Sequence, residues 1–115
     1  MNHNSRLGKR GERLAVHWLQ INDFDVLQQN WRSERFELDI IAQKERVVYG
    51  IEVKTRSSNK YGWPEDNISK RKIEKMQSVM EMFVEQYAQN IELQMVLFSV
   101  FITTRKIKYE WKEIG

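Results

Sequence analysis

The chain has 115 residues, of which 41% are hydrophobic and 30% charged, with a formal net charge of +3 and no cysteine. Without cysteine the protein has neither disulfides nor thiolate metal sites, which fits the reducing cytoplasm, where we expect it to act. Its longest apolar run, residues 95–102, is much shorter than the ~20 residues that span a bilayer, so we expect no membrane partner.

The first predicted element is an amphipathic helix over residues 5–22, because apolar side chains recur there at helical spacing. Gly8 and Gly11 weaken its first turn, and Asn22-Asp23 suits a stop and turn. Residues 1–5 are polar and without pattern, so we expect them to be disordered.

Strand-like stretches rich in β-branched and aromatic residues follow at residues 24–31, 36–42 and 47–55. The charged segment between the last two is short enough for a hairpin. Residues 57–67, which contain the only proline, are predicted to form a loop.

A second amphipathic helix is predicted for residues 69–89, with Asp66, Asn67 or Ser69 as its cap. Its methionines and aromatic residues indicate core packing and no cofactor site. The apolar stripe consists of Ile73, Met76, Met80, Phe83 and Tyr87.

Two more strands complete the predicted fold, a buried one at residues 93–102 and a half-exposed one at residues 107–111. This order is typical of an α/β protein with a mixed central sheet flanked by two helices. Because no repeat or linker interrupts the sequence, we expect residues 1–115 to form a single domain.

Charged residues within two apolar strands are the most informative feature, because burying a charge is costly unless it is paired or binds a metal. Glu37 and Asp39 interrupt one strand, and Glu52 and Lys54 interrupt the next. Since side chains alternate along a strand, each pair is expected on one face, with Phe36, Leu38 and Ile40 opposite the first pair. A hairpin would then bring all four charges to one side of one ladder. Gly50 on that face leaves room for a ligand or for a close backbone approach.

Two interpretations of this cluster remain open. Two carboxylates with a backbone carbonyl make an all-oxygen site suited to Mg²⁺ or Mn²⁺, beside which a lysine could position a water for attack on phosphorus. Alternatively, Glu37 or Asp39 forms a cross-strand salt bridge with Lys54, and Glu52 lies exposed on an edge.

Positive side chains gather near the start of the chain and again over residues 54–75. Two such clusters could flank a groove that attracts phosphate groups. A solvated surface with a mild excess of lysine and arginine explains the same pattern, so charge leaves both interpretations open.

The stretches FELDIIA and GIEVKTR resemble the acidic core of the PD-(D/E)xK superfamily, which includes restriction endonucleases and archaeal Holliday-junction resolvases. Nearly the whole chain more closely resembles the YraN-like family of small bacterial proteins. The family's long helix usually has a small-residue pair where Val79-Met80 stands, and its late strand tends to carry Arg-Phe-Asp where Gln94-Met95-Val96 stands. The family's pattern is approached by Gly8-x-x-Gly11-Glu12-x-x-Ala15, Asn30-Trp31-Arg32, Glu37-Leu38-Asp39-Ile40-Ile41-Ala42, Glu52-Val53-Lys54-x-Arg56 and a basic helix start at Lys72.

The resemblance implies a restriction-endonuclease-like αβββαβ core and a metal-dependent nuclease acting on DNA. It implies that Asp39, Glu52 and the Val53 carbonyl hold Mg²⁺ or Mn²⁺ and that Lys54 is the catalytic lysine. Branched DNA as substrate, and the homodimer that a junction would require, follow from the likeness to junction resolvases. The alternative is a nucleic-acid-binding or partner-binding module that keeps the fold without turnover.

The same resemblance suggests supporting residues. Glu12 matches the extra acid that several superfamily members place beside the metal, whereas locally it is an ordinary first-turn acid favoured by the helix dipole. Glu37 either supports the metal ligands or lies on the surface. Arg10, Arg56 and Lys72 are candidates for contacts with nucleic acid, or else ordinary exposed cations.

Overall fold

The computed structural model describes residues 3–33, 36–57, 68–87 and 90–115, and these form a five-stranded mixed sheet with two helices. The predicted α/β class with an αβββαβ core is confirmed, and a fifth strand extends the sheet. The predicted loop beyond Ser57 and the alternative caps Asp66 and Asn67 lie outside the described residues. The elements are α1 (His3–Ile21), β1 (Asp25–Ser33), β2 (Phe36–Lys44), β3 (Val47–Arg56), α2 (Lys70–Val84), β4 (Glu92–Ile102) and β5 (Ile107–Ile114).

The strands lie side by side in chain order, from β1 to β5. Neighbouring strands are antiparallel except β3 and β4, which run parallel. A parallel pair needs a crossover connection, and α2 lies in that connection. Because the strand order is β1 to β5, β3 is the central strand, with β2 and β4 as its neighbours.

Helix α1 covers one face of the sheet through small and apolar residues four positions apart, Gly11, Ala15 and Leu19. It begins at His3, so residues 3–5, which were expected to be disordered, are helical. It ends in the predicted turn: Asp23 has a left-handed φ of 67°, and the Phe24 N–H donates to the Leu19 carbonyl at 2.9 Å. These contacts form a Schellman motif, which satisfies the last carbonyls of the helix.

Helix α2 covers the opposite face and is capped by Ser69, whose Oγ accepts from the Lys72 N–H at 3.2 Å. It ends at Val84, whereas the apolar pattern predicted a helix to residue 89. The pattern continued because Tyr87, although outside the helix, still packs against Phe83 with ring centroids 5.4 Å apart. Neither helix of the described ranges is long and apolar enough to cross a membrane.

Candidate metal centre

Strands β2 and β3 separate where the acidic residues begin. Their ladder runs from the Lys44–Val47 pair to the Ile40–Ile51 pair. Asp39 precedes Ile40 in β2, and its Oδ2 accepts a hydrogen bond from the Val53 N–H at 2.8 Å. A side chain thus replaces the next backbone contact between the strands. We call the space between the separated strands the fork.

Side-chain alternation in β2 breaks at Asp39. Leu38 and Ile41 pack on the α2 face, while Ile40 packs on the α1 face. The expectation that Leu38 and Ile40 share a face is therefore wrong. In β1, Asn30 lies opposite Asp39 and has a left-handed φ of 52°, so both strands are distorted at this level. The Asp39 carboxylate consequently lies between the two faces and points towards β3.

Glu52 lies on the α2 face of β3. Its Oε1 accepts from Lys72 Nζ at 3.1 Å, and its side chain is only 13% exposed. Because β3 is central, the interpretation that places Glu52 exposed on an edge is wrong. Gly50 on the same face serves a close approach, since a Cβ there would come within 2.7 Å of Met80 Cγ.

Glu12 reaches the fork from α1. Because α1 begins at His3, Glu12 lies beyond the first turn, and the helix-dipole explanation for this acid is wrong. Burial raises its pKa, and the negative charges of Glu37 and Glu52 raise it further. A hydrogen bond between the Glu12 and Asp39 carboxyl groups opposes this rise.

Glu37 lies at the rim of the fork. Its Oε2 accepts from Arg32 Nε at 2.9 Å, and the Glu37 side chain is 34% exposed. Arg32 balances part of its charge, yet Glu37 still raises the pKa values of Glu12 and Asp39. Glu37 is thus a partly exposed acid paired with Arg32, and its predicted support of the metal ligands stays a prediction.

Asp39 is the electrostatic centre of this cluster. Burial raises its pKa to about 7, and the nearby charges of Glu52, Glu12 and Glu37 act in the same direction. The hydrogen bond from the Val53 N–H lowers it but does not compensate. Four carboxyl groups from α1, β2 and β3 therefore lie within electrostatic range of one another, and their negative charge is only partly balanced.

The residues at the fork fit a hard divalent cation. Asp39 and Glu52 provide carboxylate oxygens, and the Val53 carbonyl points into the fork because the N–H and C=O of a strand residue face the same neighbour. Among the described residues no three Asp, Glu, His or Cys side chains are grouped tightly enough to enclose a metal ion. Mg²⁺ does not require three, since it keeps several waters and is often bound through one or two carboxylates.

Basic side chains surround the same end of the sheet. Lys54 is half-buried and lies on the face of Glu52, two residues further along β3. Arg56 is exposed at the end of β3, and Arg10 is exposed next to Gly11, where α1 meets Thr55 of β3. Of the cations predicted to contact nucleic acid, Lys72 is paired with Glu52 at the fork, while for Arg10 and Arg56 the contact stays a prediction.

An open groove of about 910 Å³ runs along α2 from Arg71 to Met82, with Ser33 and Phe36 on its other side. Sequence reasoning allowed for a groove beside the basic cluster of residues 54–75, but among the cations at the start of α2 it named only Lys72, which does not line this groove. The available signal was the start of α2, where Lys70, Arg71 and Lys72 are consecutive and no acid lies in the first turn, against the preference of the helix dipole. The groove is lined by Ser33, Phe36, Arg71, Glu74, Lys75, Ser78, Val79 and Met82.

The fold and the site together define an α/β protein with a cluster of acids at the fork of a mixed sheet. The chain belongs to the family described as "Uncharacterised protein family UPF0102", which matches residues 11–109. This confirms the resemblance to the YraN-like family.

The relatives match almost end to end. The UPF0102 protein FP2501 of Flavobacterium psychrophilum is 36% identical over 108 residues, which cover 94% of this chain and 90% of the relative. A UPF0102 protein of Christiangramia forsetii is 30% identical over 110 residues, covering 96% and 92%. These names identify the family alone, so the function is argued from the site.

The departures from the family pattern are packing positions in this chain. Gln94 Nε2 donates to the carbonyls of Met95 at 3.0 Å and Ile114 at 3.1 Å, and so joins β4 to β5. Val96 is fully buried on the α1 face, and Met80 packs on Gly50. None of these contacts involves the residues of the fork.

Proposed function

We propose that this protein is a metal-dependent phosphodiesterase that cleaves DNA, with Asp39, Glu52 and Lys54 as its catalytic residues. The main support is the electrostatic influence of four carboxyl groups on one another around the fork, which contributes to a pKa of about 7 for Asp39. Like charges held together in this way destabilise a fold, and proteins tolerate such arrangements mainly at functional sites.

In this proposal Asp39, Glu52 and the Val53 carbonyl hold Mg²⁺ or Mn²⁺. When bound, such an ion would stabilise the negative charge that develops on the phosphate during hydrolysis. Lys54, on the same face as Glu52, holds and polarises the attacking water. Glu12 and Glu37 increase the negative field at the fork and so strengthen the attraction for a divalent cation.

The basic surroundings support nucleic acid as the partner. Lys72 contacts Glu52 at the fork, Arg10 and Arg56 are exposed on the neighbouring α1 and at the end of β3, and Arg71 and Lys75 line the groove. Cations in the first turn of a helix oppose its dipole, and a bound phosphate would reverse that cost. Contacts between such cations and phosphate supply most of the sequence-independent affinity for DNA.

Branched DNA as the preferred substrate rests on the likeness to junction resolvases. A four-way junction offers two strands for cleavage, so this preference goes with a homodimer that carries two sites. Sedimentation with and without a junction would measure the oligomeric state. A monomer that remains monomeric on the junction would contradict the homodimer.

The decisive experiment is cleavage of labelled duplex, single-stranded, flap and four-way-junction DNA with Mg²⁺ or Mn²⁺. We expect metal-dependent products from the wild type, and none from Glu52→Gln or Lys54→Ala. Glu81→Gln, an exposed acid on the far part of α2, is the matched control and should retain activity. Binding without cleavage, unaffected by the site variants, would favour the binding-module alternative.

A further inference from the structure

The ion pair between Lys72 and Glu52 joins two elements at the proposed metal site. Lys72 Nζ lies 3.1 Å from Glu52 Oε1, and the side chains are 35% and 13% exposed, respectively. The hydrogen bond from the Lys72 N–H to Ser69 Oγ fixes the backbone of Lys72 in the first turn of α2. The backbone is therefore held in place, while the partly exposed ammonium sits at the end of a flexible stem.

The same carboxylate cannot serve both partners equally well. A divalent ion bound to Glu52 would repel the Lys72 ammonium and would balance the negative charge of Glu52 in its place. Lys72 directly follows Arg71, which lines the groove, in the first turn of α2. An anionic partner there would receive the ammonium that Glu52 has released.

We propose that Lys72 is a metal-displaced lysine that balances Glu52 before the metal binds and contacts a DNA phosphate afterwards. This inference rests on the proposed function. It makes metal and DNA bind cooperatively, because each favours the position of Lys72 that the other needs, and such coupling is reciprocal. Lys72 thereby has a role distinct from that of Lys54, which lies on the strand beside Glu52.

The first test measures Mn²⁺ binding by calorimetry in the absence of DNA, for the wild type, Lys72→Met and Lys54→Met. Both variants remove one positive charge near Glu52 and keep an unbranched side chain, but only Lys72 forms the ion pair. We expect Lys72→Met to bind Mn²⁺ about 2–5-fold more tightly, as the loss of a competing, partly exposed ion pair implies. Lys54→Met should bind Mn²⁺ less tightly than Lys72→Met does.

The second test measures binding of labelled single-stranded DNA by anisotropy, with Ca²⁺ in place of Mg²⁺ to slow cleavage, and again with chelator. In the wild type Ca²⁺ should strengthen DNA binding, and in Lys72→Met it should do so by a smaller factor. Equal factors in both proteins would overturn the proposal, as would equal Mn²⁺ affinities of the two lysine variants.

These outcomes separate the inference from the proposed function. Mn²⁺ binding and DNA cleavage by the wild type, together with indistinguishable lysine variants, would overturn only the role of Lys72. A wild type that binds no Mn²⁺ would overturn the metal site and this inference together.

Discussion

Asp39 forms a hydrogen bond that joins two strands, and its ionisation costs folding free energy. Its Oδ2 accepts the Val53 N–H and so holds β2 to β3 at the point where their ladder stops. Burial and the charges of three other acids also raise the pKa of its carboxyl group to about 7, so that ionising it costs free energy. The contact and the charge can be separated by substitution, because an amide oxygen accepts the same hydrogen bond without the charge.

We expect Asp39→Asn to stabilise the metal-free protein, increasingly so as the pH rises from 5 to 8. The folded-state pKa of about 7 lies above the ordinary value of 3.8, so ionisation of Asp39 costs stability progressively between these values. Above pH 7 the cost is fully present. Urea unfolding in chelator measures it, with the exposed Asp25→Asn as control. A variant less stable than wild type at pH 8 would contradict the electrostatic account.

Protons and metal ions should compete at the same carboxyl group. We expect the affinity for Mn²⁺ to rise with pH, by up to about tenfold per unit below pH 7, and to level off above it. Calorimetric titrations at pH 5.5, 6.5, 7.5 and 8.5 (values chosen to bracket about 7) would measure this. An affinity that does not change with pH would show that Asp39 is not a ligand.

At the scale of elements, Gly11 determines how closely α1 approaches β3. A Cβ at this position would overlap the Thr55 side chain, so only glycine permits the observed contact. Glu12 is the next residue, and the close approach is what brings its carboxyl group to the fork. Glycine in a helix ordinarily costs stability, and here the cost is offset by the packing of α1 on the sheet.

We expect Gly11→Ala to reduce the free energy of unfolding by about 1–3 kcal/mol, as overpacked core substitutions usually do. It should also reduce Mn²⁺ affinity, because α1 must move away with Glu12. Gly8→Ala is the matched control: no described atom lies within 4 Å of its Cβ, so the better helix propensity should leave stability unchanged or raised. Equal effects of the two substitutions in urea unfolding would contradict the packing role of Gly11.

At the scale of the whole molecule, the acids, the cations and the groove lie at one end of the sheet. This end contains the fork, the first turn of α2 and the start of the groove. The turn between β2 and β3 lies at the other end, beyond the Lys44–Val47 pair. Under the proposed function this is the end at which DNA would bind, although the net charge is only +3.

We expect Lys75→Ala, in the groove, to weaken DNA binding and to reduce the slope of log affinity against log salt by about 0.7–0.9, the value for one lost phosphate contact. Arg46→Ala removes an equally exposed cation at the opposite end and should leave the slope unchanged. Anisotropy titrations at several salt concentrations would distinguish them. Equal slopes for both variants would show that DNA does not follow the groove.

The secondary-structure elements of this protein could be predicted from its sequence because they depend mainly on residues that are neighbours along the chain. Apolar spacing predicted both helices, and β-branched runs predicted the strands, including the hairpin between β2 and β3. Charges within apolar strands indicated Asp39 and Glu52 as residues with a special role. The helix ends were less predictable, since Tyr87 continues the apolar stripe of α2 after the helix has ended.

The sequence by itself determined the element types and the family, because apolar periodicity and motif spacing are properties of short segments, while the role of the acids within the strands stays a prediction. Only the tertiary structure decided how these parts meet. The fork depends on a side chain bonding the backbone of another strand, and this contact breaks the alternation that pattern reasoning assumes. The pairing of Glu52 with Lys72, and the arrival of Glu12 through the Gly11 contact, depend on helix packing. Partners that are distant in sequence are selected by packing geometry, which no local pattern encodes.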